Sequence, residues 1–395
     1  MTDTLFSDMQ RSDAGPALYA EPHYEYLDRS ARLEIARVRS LLEEWFSHYP
    51  VEHRAEFLGR FQNGNDIHFI ASSFELYLHE LFLRSGFTLE VHPQIPSGKK
   101  TAPDFKITIP KGMSFYLEAA LATDESDVER AAAKRMDAVF DAVDRLNCRN
   151  FFLGLDMRGS PKTAPKAKKL RNSLDLWLRT LDPDAIAEQL RRSEQKEAPK
   201  FFFKHEGWEI TFSAFPRSPE KRGKPGIRPI GTKFFGARWL STWESIRDAV
   251  IRKGRKYGQL ELPLIVAVNA GAFHVDMIDI MEALFGQEQF ILSVKKPRSK
   301  PIMRRAPNGL WHGPKGIRYR RVSGVIIAPD LKPWTFGVRG ITLYHNPWSY
   351  RPIDPSLLSI PQYIVNEGRM TPKEGTHPRE IFGLPEGWPE ISQAP

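Results

Sequence analysis

Eight short apolar runs, each about as long as a strand, alternate with stretches of helical periodicity, and no other feature constrains the fold of this chain as much. The runs are FTLEVHPQ, DFKITIP, SFYLEAALA, FFLGLDMR, WEITFSAFP, LPLIVAVNAG, VSGVIIAP and ITLYHNP. Between them, residues 29–47 place Leu33, Val38, Leu41, Leu42 and Trp45 at helical spacing. A second helix is predicted from a cap at Asn65 or Asp66 to Arg84, stopped by Gly86, and a third over 125–146. Further helices are expected over 170–195, over 243–257 and in VDMIDIMEALFG. Strands interleaved with helices predict an α/β or α+β pattern around a sheet.

At about 150 residues per domain, 395 residues make two or three domains, each able to bury a core without a disulfide or metal staple. Residues 1–28 read as a poorly ordered tail. Residues 29–160 read as a first core domain in the order helix, three strands, helix, strand. Residues 161–200, opening with GSPKTAPKAKK, read as a basic linker and helices. Residues 201–360 read as a second, basic α/β (α+β) domain, and 361–395 as a C-terminal tail. The order strand–helix–strand occurs in both halves, as a degenerate duplication would leave it. No apolar run approaches the roughly 18 residues of a membrane span. The N-terminus is acidic and lacks the apolar core of a secretory signal. The single cysteine, Cys148, excludes a disulfide framework and a Cys-rich zinc site and reads as a packed thiol, and these features together point to the cytoplasm.

The net charge of +9 is unevenly placed. Residues 1–160 carry 18 Lys and Arg against 25 Asp and Glu, and residues 161–395 carry 39 against 23. No acid lies between Glu288 and Asp330, whereas Lys295, Lys296, Arg298, Lys300, Arg304, Arg305, Lys315, Arg318, Arg320 and Arg321 all fall there. An acid-free basic stretch favours a polyanion, because each neutralised phosphate releases condensed counterions. A nucleic acid is the expected partner, with Trp311, Tyr319, Trp334 and Trp348 available either to stack on bases or to pack a core. The plainer reading of the same stretch is a solvated loop.

Three acids carry a chemical reading. Glu118 interrupts the apolar run SFYLEAALA, where a carboxylate is costly unless it is paired or binds a metal. Asp104 opens the preceding run, and one turn around Pro110–Gly112 would set the two strands antiparallel with the carboxylates side by side. Glu75 rides the helix ending at Gly86, and its plainer use is a contact with His79 one turn on. Converging carboxylates form an oxygen-rich site for Mg²⁺ or Mn²⁺, which activates a water and stabilises charge at a scissile phosphate.

The run FELYLHELFLRSGF, then APDF, then YLEAA resembles the PD-(D/E)XK nuclease superfamily, the restriction-endonuclease-like fold. The resemblance covers about residues 65–157 and implies an α/β fold with a mixed central sheet flanked by helices. It implies that Glu75, Asp104 and Glu118 are the metal ligands of a DNA-cleaving phosphodiesterase, in a setting of bacterial restriction or defence. The lysine that the family uses to orient or deprotonate water would fall at position 120, where this chain has Ala120. Lys106, two residues after Asp104 on the same strand face, and Lys134, on the following helix, are the candidate replacements; Lys99 and Lys100 are weaker ones. Ala120 also motivates two alternatives: a nuclease-like protein that binds nucleic acid or a partner without cutting, and an interaction scaffold whose charge is incidental. His345-Asn346 shares letters with an HNH nuclease but lacks the further histidines, so LYHNPW reads as a strand end entering a turn, with Trp348 packing. The Walker, GxSxG and HExxH motifs are absent.

Overall fold

The structure, a computed structural model, describes residues 3–95, 101–110, 112–123, 126–192, 197–224, 228–235, 242–258, 260–271, 275–291 and 302–390. The chain opens with four helices, α1 (His23–Arg29), α2 (Leu33–Ser47), α3 (Val51–Phe61) and α4 (Asp66–Arg84). Strands β1 (Thr88–Val91), β2 (Phe105–Thr108) and β3 (Ser114–Ala122) follow. Next come α5 (Asp127–Asp144), β4 (Phe151–Arg158), α6 (Ala167–Arg179), α7 (Pro183–Arg192), β5 (Lys200–His205), β6 (Trp208–Pro216) and β7 (Ile230–Phe235). After these lie α8 (Thr242–Gly254), β8 (Leu264–Ala270), α9 (Met277–Phe285), β9 (Glu288–Ile291), β10 (Ile302–Arg305), β11 (His312–Gly313) and β12 (Gly316–Ile317). The chain ends in β13 (Val322–Pro329), β14 (Thr342–His345), β15 (Gln362–Asn366), β16 (Arg369–Lys373) and α10 (Pro378–Ile381).

These elements form two compact units. The first comprises residues 1–15, 22–124 and 241–395, and the second comprises 16–21 and 125–240. Unit 2 is thus an insertion between β3 and α8. The helix and strand that follow three strands in unit 1 are α8 and β8, whereas the sequence reading put α5 and β4 there and drew its boundary at 160. The 161–200 segment is likewise part of a unit rather than a linker, since Leu170, Leu174, Leu178 and Ile186 of α6 and α7 are buried in its core. The proposed duplicate halves do not correspond to the two units. SFYLEAALA and LPLIVAVNA supply neighbouring strands of one sheet, whereas FFLGLDMR and WEITFSAFP pair with each other in the other sheet.

Unit 1 holds a mixed eight-stranded sheet in the order β1-β2-β3-β8-β13-β14-β15-β16. β1, β2 and β3 form an antiparallel meander, and β3, β8 and β13 run parallel. Alternate strand residues point to opposite faces. On one face Phe105, Ile107, Phe115 and Leu117 pack with Phe74, Leu78 and Leu81 of α4. On the other, Tyr116, Ala120 and Val266 pack with Ile246, Ala249 and Val250 of α8 and Leu284 of α9. Every residue of β8 is buried, as a central parallel strand covered on both faces requires. Asn65 caps α4 by accepting the Ile67 N–H at 2.9 Å, as the sequence predicts.

Among the described residues, neither expected tail is loose. Leu5 and Phe6 are buried, and their backbone N–H groups donate to Glu43 at 3.1 and 2.8 Å. At the other end β15 and β16 extend the sheet and Trp388 is buried. In both segments large apolar side chains anchor the backbone, so low periodicity did not mean disorder. Unit 2 holds a four-stranded sheet, order β5-β6-β4-β7, with α5 and α6 over the face that carries Leu153, Leu155, Ile210 and Phe212. Among the described residues no helix is long and apolar enough to cross a membrane.

Candidate active site

Asp104 and Glu118 come together as their strands predict. In the β2–β3 register Phe105 faces Leu117, which places Asp104 beside Glu118 on the α8 face of the sheet. The two residues interlock through the backbone. The Asp104 N–H donates to Glu118 Oε2 at 3.3 Å, and the Ala119 N–H donates to Asp104 Oδ2 at 2.6 Å. Asp104 Oδ1 makes no hydrogen bond to the described residues. Burial, and then the charge of Glu118, raise the Asp104 carboxyl to about 7, with the Lys253 ammonium opposing the shift.

Glu118 is fully buried. Its Oε1 accepts from Lys253 Nζ at 2.7 Å and from Lys256 Nζ at 3.3 Å, and its Oε2 also accepts from the Tyr257 hydroxyl. That hydroxyl lies 2.8 Å from the Ala102 carbonyl as well, and burial together with the adjacent Glu118 raises its pKa. Lys253, Lys256 and Tyr257 all come from the C-terminal end of α8 and the turn just beyond it, a segment that sequence reasoning passed over. The available signal was their spacing, i, i+3 and i+4, which sets three polar groups on one side of a helix end. Ala120 also has a physical reason. It faces α8, is 4% exposed and packs in the core with Ile246 and Val250, so a lysine there would have no room. The ammonium reaches Glu118 from the covering helix instead.

The other predicted residues lie elsewhere. Glu75 is on α4, which packs on the opposite face of the sheet. Its carboxylate accepts from Arg60 at 2.7 and 3.1 Å and from the Tyr49 hydroxyl at 2.6 Å. Its charge still raises the Asp104 carboxyl, after burial and Glu118. Nor does Glu75 pair with His79, whose ring packs against Tyr49 and Phe105 and whose pKa burial lowers to about 4. Among the described residues no three His, Cys, Asp or Glu side chains gather as a metal cage, so the expected three-acid cluster is an acid pair. Lys106 shares the Asp104 strand face, but its ammonium pairs with Glu90 at 3.3 Å. Lys134 lies on α5 in unit 2.

Of the basic stretch, Lys295, Lys296, Arg298 and Lys300 lie outside the described residues, as do Lys99 and Lys100. Arg304 and Lys315 are exposed, and Arg305 pairs with Glu288 at 2.7 Å. Arg318, Arg320 and Arg321 hold backbone carbonyls, and one of these contacts ties the stretch to the carboxylate site. Arg321 donates to the Tyr257 carbonyl at 2.8 Å. The guanidinium groups of Arg255 and Arg318 lie over the Tyr319 ring, 5.6 and 5.4 Å from its centroid. Tyr319 itself has a φ of 53°, a left-handed conformation that is strained for an aromatic residue. Trp311 is fully buried, and Trp334 and Trp348 pack against the cores, so these tryptophans serve packing. His345 accepts or donates within a 2.7 Å contact to Gln362 at a strand end, and Cys148 is a buried thiol pushed up to about 11 by burial.

The chain matches no protein-family description, no curated protein and no solved structure. Its function therefore rests on the geometry above.

Proposed function

We propose that the chain is a metal-dependent nuclease, a phosphodiesterase acting on DNA, with Asp104, Glu118 and Lys253 at its centre. One observation carries the reading: two carboxylates, Asp104 at the start of β2 and Glu118 in the middle of β3, share a buried site with an ammonium 2.7 Å from one of them. That grouping supports the resemblance to PD-(D/E)XK nucleases, with Lys253 in the role of the lysine missing at 120. The element order of unit 1 supports it too: helix, three antiparallel strands, helix, parallel strand.

The donor set suits Mg²⁺ or Mn²⁺, which commonly take one or two carboxylates and complete their shell with water and phosphate oxygens. Asp104, whose Oδ1 has no hydrogen-bond partner among the described residues, and Glu118 would hold the ion. When bound, it would lower the pKa of a water and offset charge at the scissile phosphate. Lys253 directs one N–H to Glu118 and has two more for the attacking water or a phosphate oxygen. Arg321, which donates to the Tyr257 carbonyl, and Arg255 and Arg318 over the Tyr319 ring would hold the flanking backbone. The setting implied by the resemblance is bacterial restriction or defence.

The test is cleavage of plasmid and single-stranded DNA with Mg²⁺ or Mn²⁺. Asp104→Ala and Lys253→Met should each lower the rate about a hundredfold or more, with far-UV circular dichroism unchanged. Cleavage that survives both substitutions removes the assignment. A second reading, a nuclease-like protein that binds DNA without cutting it, is favoured by one observation: two lysines already neutralise Glu118. Salt-dependent DNA binding that ignores metal, together with no cleavage, would select it.

A further inference from the structure

Glu118 has two oxygens and four donors. Lys253 and Lys256 meet Oε1, while the Tyr257 hydroxyl and the Asp104 N–H meet Oε2. A carboxylate offers about four lone-pair directions, so none is left for a cation. The nuclease reading therefore requires one donor to leave.

The four are tethered unequally. The Asp104 N–H is main chain at the start of β2. The Tyr257 ring is buried in the core beneath α8, 1% exposed. Lys253 belongs to the last turn of α8 and makes the shorter ammonium contact. Lys256 lies beyond Gly254, the final residue of the helix. Its contact is the longer one, and its side chain is the more exposed, 35% against 25% for Lys253. Its ammonium is also 5.4 Å from the centroid of the Tyr257 ring, and the backbone carbonyl of Tyr257 accepts from Arg321.

We propose that Lys256 is an exchanging arm. It neutralises Glu118 in the metal-free protein, leaves when a divalent cation takes its place, and then donates to a phosphate of the bound strand. Lys253 stays, because the helix fixes it. The surplus of ammonium over carboxylate around Glu118 is thereby explained: one lysine serves the acid and the other is held for the substrate. This inference rests on the nuclease reading but makes a separate statement about Lys256, a residue that contacts the substrate.

The experiment is calorimetric titration of the full-length protein with Mn²⁺, backed by electron paramagnetic resonance of the free ion. Wild type, Lys256→Met, Lys256→Arg and Asp104→Ala are compared, each checked by thermal melting. Lys256→Met should bind Mn²⁺ about three- to fivefold tighter than wild type, the size of a partly exposed ion pair removed. Lys256→Arg, which keeps the charge, should not. In cleavage assays Lys256→Met should need less metal but show a raised KM for DNA, and the arginine variant should restore KM. Asp104→Ala should weaken Mn²⁺ binding about tenfold or more. If Lys256→Met binds Mn²⁺ no tighter while Asp104→Ala loses it, the exchange is overturned and the metal site stands. If Asp104→Ala binds like wild type, or no variant binds at all, the metal reading falls and the exchange with it. Should Lys256→Met not fold, Lys256→Gln makes the same comparison.

Discussion

The two sheets treat charge in opposite ways. In unit 1, β8 is buried throughout and β3 is covered on both faces, so Glu118 meets no water and α8 must bring it partners. Among the described residues of unit 2, only one face of the sheet is covered. Asp156, Arg158, Lys204 and Glu209 point to the other face and are exposed, and Phe202 is 67% exposed beside them. A charge on a half-solvated sheet needs only water. On a sheet covered from both sides it persists only where a counter-charge is built in, so it marks chemistry or a specific pairing.

The most severe break of that contrast is Glu118→Ala. Two ammonium groups would then share a buried site without their carboxylate, and urea unfolding should show a loss of about 3–5 kcal/mol. A loss close to zero would mean that the site is open to water and that the contrast between the sheets is false.

Asp104→Asn should act in the other direction. Because the folded protein raises this carboxyl to about 7, folding favours its protonated form. That contribution is fully present below the ordinary carboxylate range and is lost as pH rises from about 4 through about 7. The amide variant should therefore be the more stable one at pH 8, by about 2 kcal/mol, and should flatten the fall in melting temperature between pH 5 and pH 8. A wild-type stability that climbs over that range would contradict the assignment. The smallest effect belongs to unit 2: Phe202→Ser should alter unfolding by no more than about 0.5 kcal/mol, because the ring is already in solvent. A larger loss would show that the open face is covered in solution.

Local spacing made part of this site legible. Asp104 and Glu118 are separated by one turn, so a strand period of two and a hairpin suffice to set them side by side. The cap at Asn65 and the strand end at His345 were readable for the same reason. Lys253 was not, because unit 2 lies between it and Glu118, and no short-range rule says which helix returns to cover a strand. Two helix–strand pairs could each have completed the first sheet. The difference was present in the sequence. FFLGLDMR ends in alternating exposed Asp156 and Arg158, the pattern of a half-solvated strand, whereas LIVAVNA is a continuous apolar run, the pattern of a central parallel one. Glu75 is expected to converge with the two strand acids, but α4 covers the other face of the sheet, and the face covered by a helix is set by tertiary packing.

The position of unit 2 has a consequence for how the protein is made. Glu118 leaves the ribosome before residues 125–240 and Lys253 after them. At synthesis rates of about 5–20 residues per second, the carboxylate spends many seconds on a nascent chain that holds no ammonium for it. β3 therefore cannot be sealed into its sheet as it emerges. The first unit can close only after α8, β8 and β13–β16 have emerged, although its first three strands were synthesised before unit 2.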